Sequence, residues 1–337
     1  MKNKIQISIA ILLSIIICLG SCQNELKEQK TVSNMDVFYA LWTIIDEKYC
    51  YIEDKGIDWD GIKEEYEQKV SNIEEGDEMN LFDILSSMLG RLNDGHVNLI
   101  TAFDQSSSSG WYKNYPLNFN STLLYNCYLQ SYRTAGPMDY TILKENIGYI
   151  RYSSFQSSFS QANIWYILQE FENTDGLIID LRNNTGGSIE TALSLAALFF
   201  DNNTTIGYMQ HKLGPAHNDF SKLEPIILEA QSMPFKWNKG AIVLSNRLSY
   251  SATNLFMLAM RSTNRVQTVG GRSGGGGGIP LSYDLPNGWI VRFSSVRMTD
   301  LQGFSIEDGI EPDHRVNLVS NNKDDLIEYA IQQLKQQ

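Results

Sequence analysis

Ala241-Ile-Val-Leu-Ser-Asn-Arg-Leu-Ser-Tyr-Ser-Ala-Thr-Asn-Leu-Phe256 is the stretch from which the fold can be read. Its first five residues, Ala241 to Ser245, are a short apolar run of the kind that makes a parallel strand buried on both faces. Asn246, Arg247 and Leu248 make a short turn, and from Ser251 onward Leu255, Phe256, Leu258 and Ala259 recur at helical spacing. Ser251 therefore stands where a strand ends and a helix begins. Unpaired backbone N–H groups and the helix dipole both favour a developing negative charge at such a place. A hydroxyl nucleophile there has half of an oxyanion hole built in. The plain alternative is that Ser249 or Ser251 only caps the helix.

Working outward, the same strand–turn–helix pattern recurs. Gly176 to Leu181 is a buried strand, followed by Arg182-Asn-Asn-Thr-Gly-Gly187 and a helix from Ile189 to Phe200. Ile147 to Tyr152 reads as a strand, and Gln161 to Phe171 as a helix with Ile164, Ile167, Leu168 and Phe171 inward. Strands alternating with helices predict α/β layers. Gly186-Gly187 at a helix start allows close backbone approach, suited to an anion or carbonyl oxygen, or simply to a tight turn. The run Gly274–Gly278 is no phosphate loop, because no Lys-Ser/Thr follows it.

Toward the N-terminus, three stretches are amphipathic at helical spacing. Phe38, Leu41, Trp42, Ile45 and Tyr49 share one face, and Trp59, Ile62, Tyr66 and Val70 another. Leu81, Ile84, Leu85, Met88, Leu89 and Leu92 make the third. The third helix leads through Gly95, a helix stop, into a strand at Val97 to Ile100, which leaves His96 on the junction. Residues 111–145 are rich in aromatics and Thr, with weak strand patterns at Leu117–Phe119 and Thr122–Leu129. Lys323 to Leu334 predicts a terminal helix.

The chain has 337 residues, 42% of them hydrophobic and 11% aromatic, which is ordinary for a folded protein of about two domains. Its net charge of -12 excludes nucleic acid as the expected partner, since phosphate neutralisation needs a basic face. Lys2 and Lys4 ahead of an apolar run from Ile5 to Leu19 read as an export signal. Cys50 and Cys127 are compatible with a disulfide or with two free thiols. With no C-x-x-C and no H-E-x-x-H, neither a metal nor a cofactor is expected. Oligomeric state has no signal in the sequence.

Taken in order, LNDGHVNL, GLIIDLRNNTGGS, IVLSNRLSYSATN, VGGRSGGGGG and IEDGIEPD resemble the C-terminal processing, tail-specific and tricorn-type serine peptidases. These blocks cover most of residues 36–320. The resemblance implies an α/β fold with a crotonase-like (ClpP-like) spiral β/α core and an N-terminal helical-bundle subdomain. It also places the nucleophile at Ser251 and oxyanion donors at Gly186, Gly187 and Ala252. Members with a Ser–Lys dyad carry their Lys where this chain has Gly276, and Arg272 cannot replace it because a guanidinium does not deprotonate. The tricorn-type branch uses His and Glu, which match His96 as general base and Glu307 as the carboxylate that fixes its tautomer. The chain differs from that branch in having Gly95 before the histidine and Asn254 after the nucleophile motif. Leu19-Gly-Ser-Cys22 resembles a bacterial lipoprotein box, which implies cleavage before Cys22 and a lipid anchor there.

The expected organisation is a lipoprotein signal peptide at 1–21, a tether at 22–33, and a helical subdomain at 34–100. A β-rich connection at 101–145, a catalytic core at 146–320 and a C-terminal helix at 321–337 follow. The connection is too short for a peptide-binding PDZ domain, since domains run to roughly 50 residues or more. Substrate is then expected to be gripped by the core, with the 111–132 region adding a strand to the peptide. The function expected is a lipid-anchored serine endopeptidase of the cell envelope, acting on peptides or proteins through an acyl-enzyme. The alternative is an inactive peptide- or lipid-binding protein on the same fold.

Overall fold

The computed structural model describes residues 32–336. β8 (Ala241–Ser245) lies between β5 (Gly176–Asp180) and β9 (Val266–Gly270) in a seven-stranded sheet of order β12-β9-β8-β5-β4-β3-β2. β4 (Ile147–Tyr152), β5, β8, β9 and β12 (His314–Arg315) run parallel, while β3 (Met138–Leu143) and β2 (Arg133–Ala135) add an antiparallel edge. Both faces are covered, so the central strands are apolar throughout. Ala241 and Val243 face α6 (Gln161–Glu170), α7 (Ile189–Ala196) and α8 (Ala252–Met260). Ile242 and Leu244, one residue out of phase, meet Leu326, Ile327 and Ile331 of α9 (Asp325–Leu334). The terminal helix is thus part of the core rather than an appendage.

A second sheet is organised on β11 (Ile290–Thr299). Along one edge it pairs β10 (Gly278–Asp284); along the other it pairs β1 (Asn98–Ile100) and β6 (Thr204–His211), the latter continued by β7 (Glu224–Leu228). The helices α1 (Asn34–Lys48), α2 (Trp59–Ser71) and α3 (Glu78–Gly90) bury Phe38, Leu41, Trp59 and Leu85 in one cluster with Trp289, Val291 and Phe293. This packing carries the α3–β1 junction, and with it His96, across to the start of α8.

Residues 110–132 differ from the expected strands. They form two short helices, α4 (Gly110–Lys113) and α5 (Ser121–Cys127), so this region has no strand edge to offer a peptide. The Asn120 side chain accepts from Leu123 N (3.0 Å) and starts α5, and Leu123 and Leu124 are buried. Cys50 and Cys127 are free thiols, the first buried and the second exposed. The signal peptide, Cys22 and most of the tether lie outside the described residues.

One buried charge cluster ties these layers together just below the 182–187 turn. Arg182, fully buried, holds Asp180 (Nη2–Oδ2 2.6 Å) and Asp324 (Nη1–Oδ2 2.8 Å). Tyr149 donates to Asp180 (2.6 Å), and Arg182 also donates to Asn118 O (3.2 Å). Strand β5, the N-cap of α9 and the segment before α5 therefore share one guanidinium.

Candidate active site

The turn after β8 is fixed before it reaches Ser251. Asn246 N donates to Ser249 Oγ (3.1 Å), Ser249 N to Asn246 O (2.9 Å), and Ser249 Oγ to Leu181 O (2.9 Å). Arg247 donates to Trp111 O, Ser273 O and Asp308 O (2.6–2.7 Å), which clamps three neighbouring segments to the turn. Tyr250 N then donates to Asn184 O (3.1 Å) and Ser251 N to Gly275 O (2.8 Å). Held from both sides, Ser251 adopts φ 57° and ψ −120°, a conformation that costs a non-glycine residue about 1–3 kcal/mol. Ser251 occupies the N-cap position of α8, yet its side chain makes no capping bond. Its hydroxyl lies 2.9 Å from His96 Nε2 instead.

The other face of the imidazole sets the tautomer. His96 Nδ1 is 3.4 Å from Ser294 Oγ, and Ser294 Oγ donates to Asp94 Oδ2 (3.3 Å). A hydroxyl that gives its proton to a carboxylate must accept from Nδ1, so Nδ1 carries the hydrogen and Nε2 presents its lone pair to Ser251. Asp94 is fully enclosed: it also accepts from His96 N (2.7 Å), Tyr49 OH (3.0 Å) and Tyr250 OH (3.0 Å). Burial opposes its ionisation, but Lys55, His96 and these donors hold its carboxyl below the usual range. Burial dominates at His96, outweighs the pull of Asp94, and with Arg292 and Lys55 lowers the imidazole to about 4. His96 is therefore neutral at pH 7, the state a general base requires.

Glu307, expected beside His96, is placed differently. Its two oxygens go to Lys55 Nζ (2.8 Å) and Gly277 N (2.9 Å), and the hydroxyl of Ser294 takes the position at Nδ1. Burial and the nearby Asp94 charge push Glu307 up to about 8. Burial also disfavours the Lys55 ammonium, but Glu307 and Asp94 outweigh it and raise its pKa. Glu307 thereby fixes the glycine run and the lysine behind the histidine.

The oxyanion candidates divide in a similar way. Gly186 N donates to Asn184 Oδ1 (3.0 Å). Among the described residues, the N–H groups of Gly187 and Ala252 have no hydrogen-bond partner, and both residues line one cavity with Ser251. Gly187 sits at φ 139°, and a Cβ there would overlap the backbone of Phe155 and Gln156, so only glycine brings this N–H to the nucleophile. Gly276 lies against the Tyr250 ring at φ 70°, which leaves no room for the lysine of a Ser–Lys dyad. The cavity has a volume of about 290 Å³; apart from Arg292 at its wall its lining is mainly apolar, with Ile189, Leu255, Ile279, Met298 and Ile306. No group of three or more potential metal ligands occurs among the described residues.

Sequence reasoning missed Asp94, Ser294, Lys55, Tyr250 and Arg247. Asp94 had a local signal, an acid two residues before the histidine. Ser294 and Lys55 had none.

Known proteins resemble this chain in sequence and in structure. The profile of Peptidase family S41 matches residues 146–316, and that of the Tricorn protease C1 domain matches residues 33–90. A crystal structure of a candidate peptidase from Parabacteroides merdae is 40% identical, covers 90% of this chain and 96% of its own, and superposes with a TM-score of 0.84. A CtpA-like serine protease of Staphylococcus saprophyticus is 27% identical over 192 residues, which are 53% of this chain. That match spans 37% of the relative's own length. The photosystem II D1 C-terminal processing protease shares the fold, with a TM-score of 0.55 at 16% identity over 88% of this chain and 97% of that one. Half of the sequence lies within one family profile, and nine-tenths of it aligns with a structure at 40% identity: the chain belongs to peptidase family S41.

Proposed function

We propose that the protein is a serine endopeptidase that cleaves peptides or proteins through an acyl-enzyme on Ser251. The observation that carries this reading is the 2.9 Å contact between Ser251 Oγ and a neutral His96, made from a strained elbow beside two N–H groups without a partner among the described residues. Ser251 Oγ attacks the carbonyl carbon while its proton passes to His96 Nε2. The oxyanion is received by the N–H groups of Gly187 and Ala252, each worth about 3–4 kcal/mol in the transition state. Collapse breaks the C–N bond, and His96 returns the proton to the leaving amine. Water then enters by the same route in reverse, releases the acid and restores Ser251. Asp94, through Ser294, keeps the imidazole in the required tautomer and offsets the positive charge that it acquires.

The test is incubation of the protein with an unfolded polypeptide, with the products read by mass spectrometry. Defined new termini are expected. Retention of the polypeptide without any new terminus would return the binding-protein reading.

The low pKa of His96 gives this reading a pH signature. The base works when neutral, so kcat/KM falls as pH drops through the free-enzyme pKa. An imidazole titrating at its ordinary ~6.5 would keep only about a tenth of its activity at pH 5.5. With His96 lowered to about 4, activity is expected to persist at pH 5.5 and to fall only as pH approaches 4. A kcat/KM profile with its acid limb near 6.5 would contradict the buried, neutral histidine.

We also propose that the protein lies in the cell envelope, held at the membrane by lipid on Cys22. The resemblance of Leu19–Cys22 to a lipoprotein box supports it. Cys22→Ala is expected to move the protein from the membrane fraction to the soluble one. A wild-type protein that is soluble without detergent would count against the anchor.

A further inference from the structure

Arg292 is the one charged side chain among the residues lining the cavity beside Ser251. It projects from the same face of β11 as Ser294, two residues away, and is only partly exposed. Its Nη1 makes two long contacts, 3.4 Å to His96 O and 3.3 Å to Asn98 Oδ1. Among the described residues, Nε and Nη2 have no hydrogen-bond partner, and no carboxylate forms an ion pair with Arg292. The chain carries 39 acidic residues against 27 Lys and Arg, and Arg91, Arg133, Arg182, Arg265, Arg297 and Arg315 each meet an Asp or Glu. Arg247 and Arg261 also form no ion pair among the described residues, but Arg247 spends its donors on three carbonyl oxygens and Arg261 is exposed. A partly buried guanidinium that finds no anion in an acidic protein, and that faces a cavity, offers two donors to whatever enters.

We propose that Arg292 selects peptides that present an Asp or Glu side chain beside the scissile bond. This rests on Ser251 being the nucleophile of a peptidase. The apolar lining of the cavity takes an uncharged side chain, and the planar fork of Arg292 at its wall takes the carboxylate, as guanidinium groups do in bidentate pairs. The pairing also reaches the chemistry. Arg292 is one of the charges that oppose protonation of His96, and a bound carboxylate would offset it as the imidazolium forms. Preferred substrates should therefore gain in kcat as well as in KM.

The test uses two pairs of matched peptides cut at one bond, differing only in Asp against Asn at the position before the bond or at the position after it. Each pair is assayed with the wild-type protein, Arg292→Gln and Arg292→Lys. The wild type is expected to prefer the carboxylate form of one pair by about tenfold to a hundredfold in kcat/KM. Arg292→Gln should bring that ratio close to one, and Arg292→Lys should restore part of it. Which pair responds tells on which side of the bond the carboxylate is held. The ratio is internal to each variant, so a general loss of activity does not imitate the effect. A ratio near one in the wild type, or an unchanged ratio in Arg292→Gln, overturns the proposal. Labelling of the wild type by a neutral fluorophosphonate separates the two claims. Labelling without discrimination refutes the role of Arg292 alone, whereas no labelling and no cleavage refute the peptidase reading and this inference with it.

Discussion

Ser251→Ala is expected to lower peptide hydrolysis by on the order of 10⁴–10⁶-fold while leaving the fold intact. The loss is large because the hydroxyl is the atom that bonds to substrate, and neither Ser249 nor Ser294 can replace it. Ser249 Oγ is committed to Leu181 O inside the turn, and Ser294 lies on the far side of the imidazole. The fold survives because, among the described residues, the Ser251 side chain has one hydrogen-bond partner, His96, and caps nothing. Its strained φ of 57° is imposed by the neighbours on either side, Tyr250 N to Asn184 O and Ser251 N to Gly275 O, and these remain with alanine. Unchanged thermal unfolding with abolished cleavage is the expected pair of results. Cleavage at the wild-type rate would move the nucleophile elsewhere.

The largest effect on stability is expected from Arg182→Met. Removing the guanidinium leaves Asp180 and Asp324, both fully buried, with only the more distant Arg151, 4.0 Å from Asp180, as a cation. Breaking a buried ionic cluster by removing one partner costs about 3–5 kcal/mol, a large part of the ~5–15 kcal/mol that holds a typical fold. The midpoint of thermal unfolding should fall by about 10 °C. By contrast, the half-exposed pair of Arg133 with Glu170 should contribute no more than ~1 kcal/mol, and its removal serves as the control. Activity should decline with stability, since Arg182 begins the turn that carries Gly187. Equal stability of Arg182→Met and wild type in urea would show that the cluster bears no load.

The contrast between these two positions shows what a single sequence reveals. Ser251 is visible because its setting is local: five apolar residues, a turn, and a helical repeat fix a strand–helix junction wherever the strand ends up. The Gly186-Gly187 turn and the place of His96 between α3 and β1 are legible in the same way, but the roles of Gly187, Ala252 and His96 come from the resemblance to the peptidase family. The inner support of His96 is set by long-range packing. Ser294 reaches the imidazole across 198 residues because the helical layer docks on β11, and no periodicity announces which of ten strand residues will face it. Glu307 shares a motif with the peptidase family, yet its oxygens are taken by Lys55 and Gly277, a pairing that depends on where the α1–α2 connection falls. The error at α5 has another cause. Thr122 to Leu129 mixes β-branched, aromatic and leucine residues, and the Asn120 cap with the burial of Leu123 and Leu124 overrides weak strand propensity.

The central claim is that Ser251 is a nucleophile activated by His96. Its most direct test is reaction with a neutral fluorophosphonate, followed by peptide mapping of the adduct in the wild type, Ser251→Ala and His96→Ala. The account predicts one adduct, on Ser251, in the wild type and essentially none in either variant. An adduct on a different residue, or labelling of His96→Ala at the wild-type rate, would contradict it.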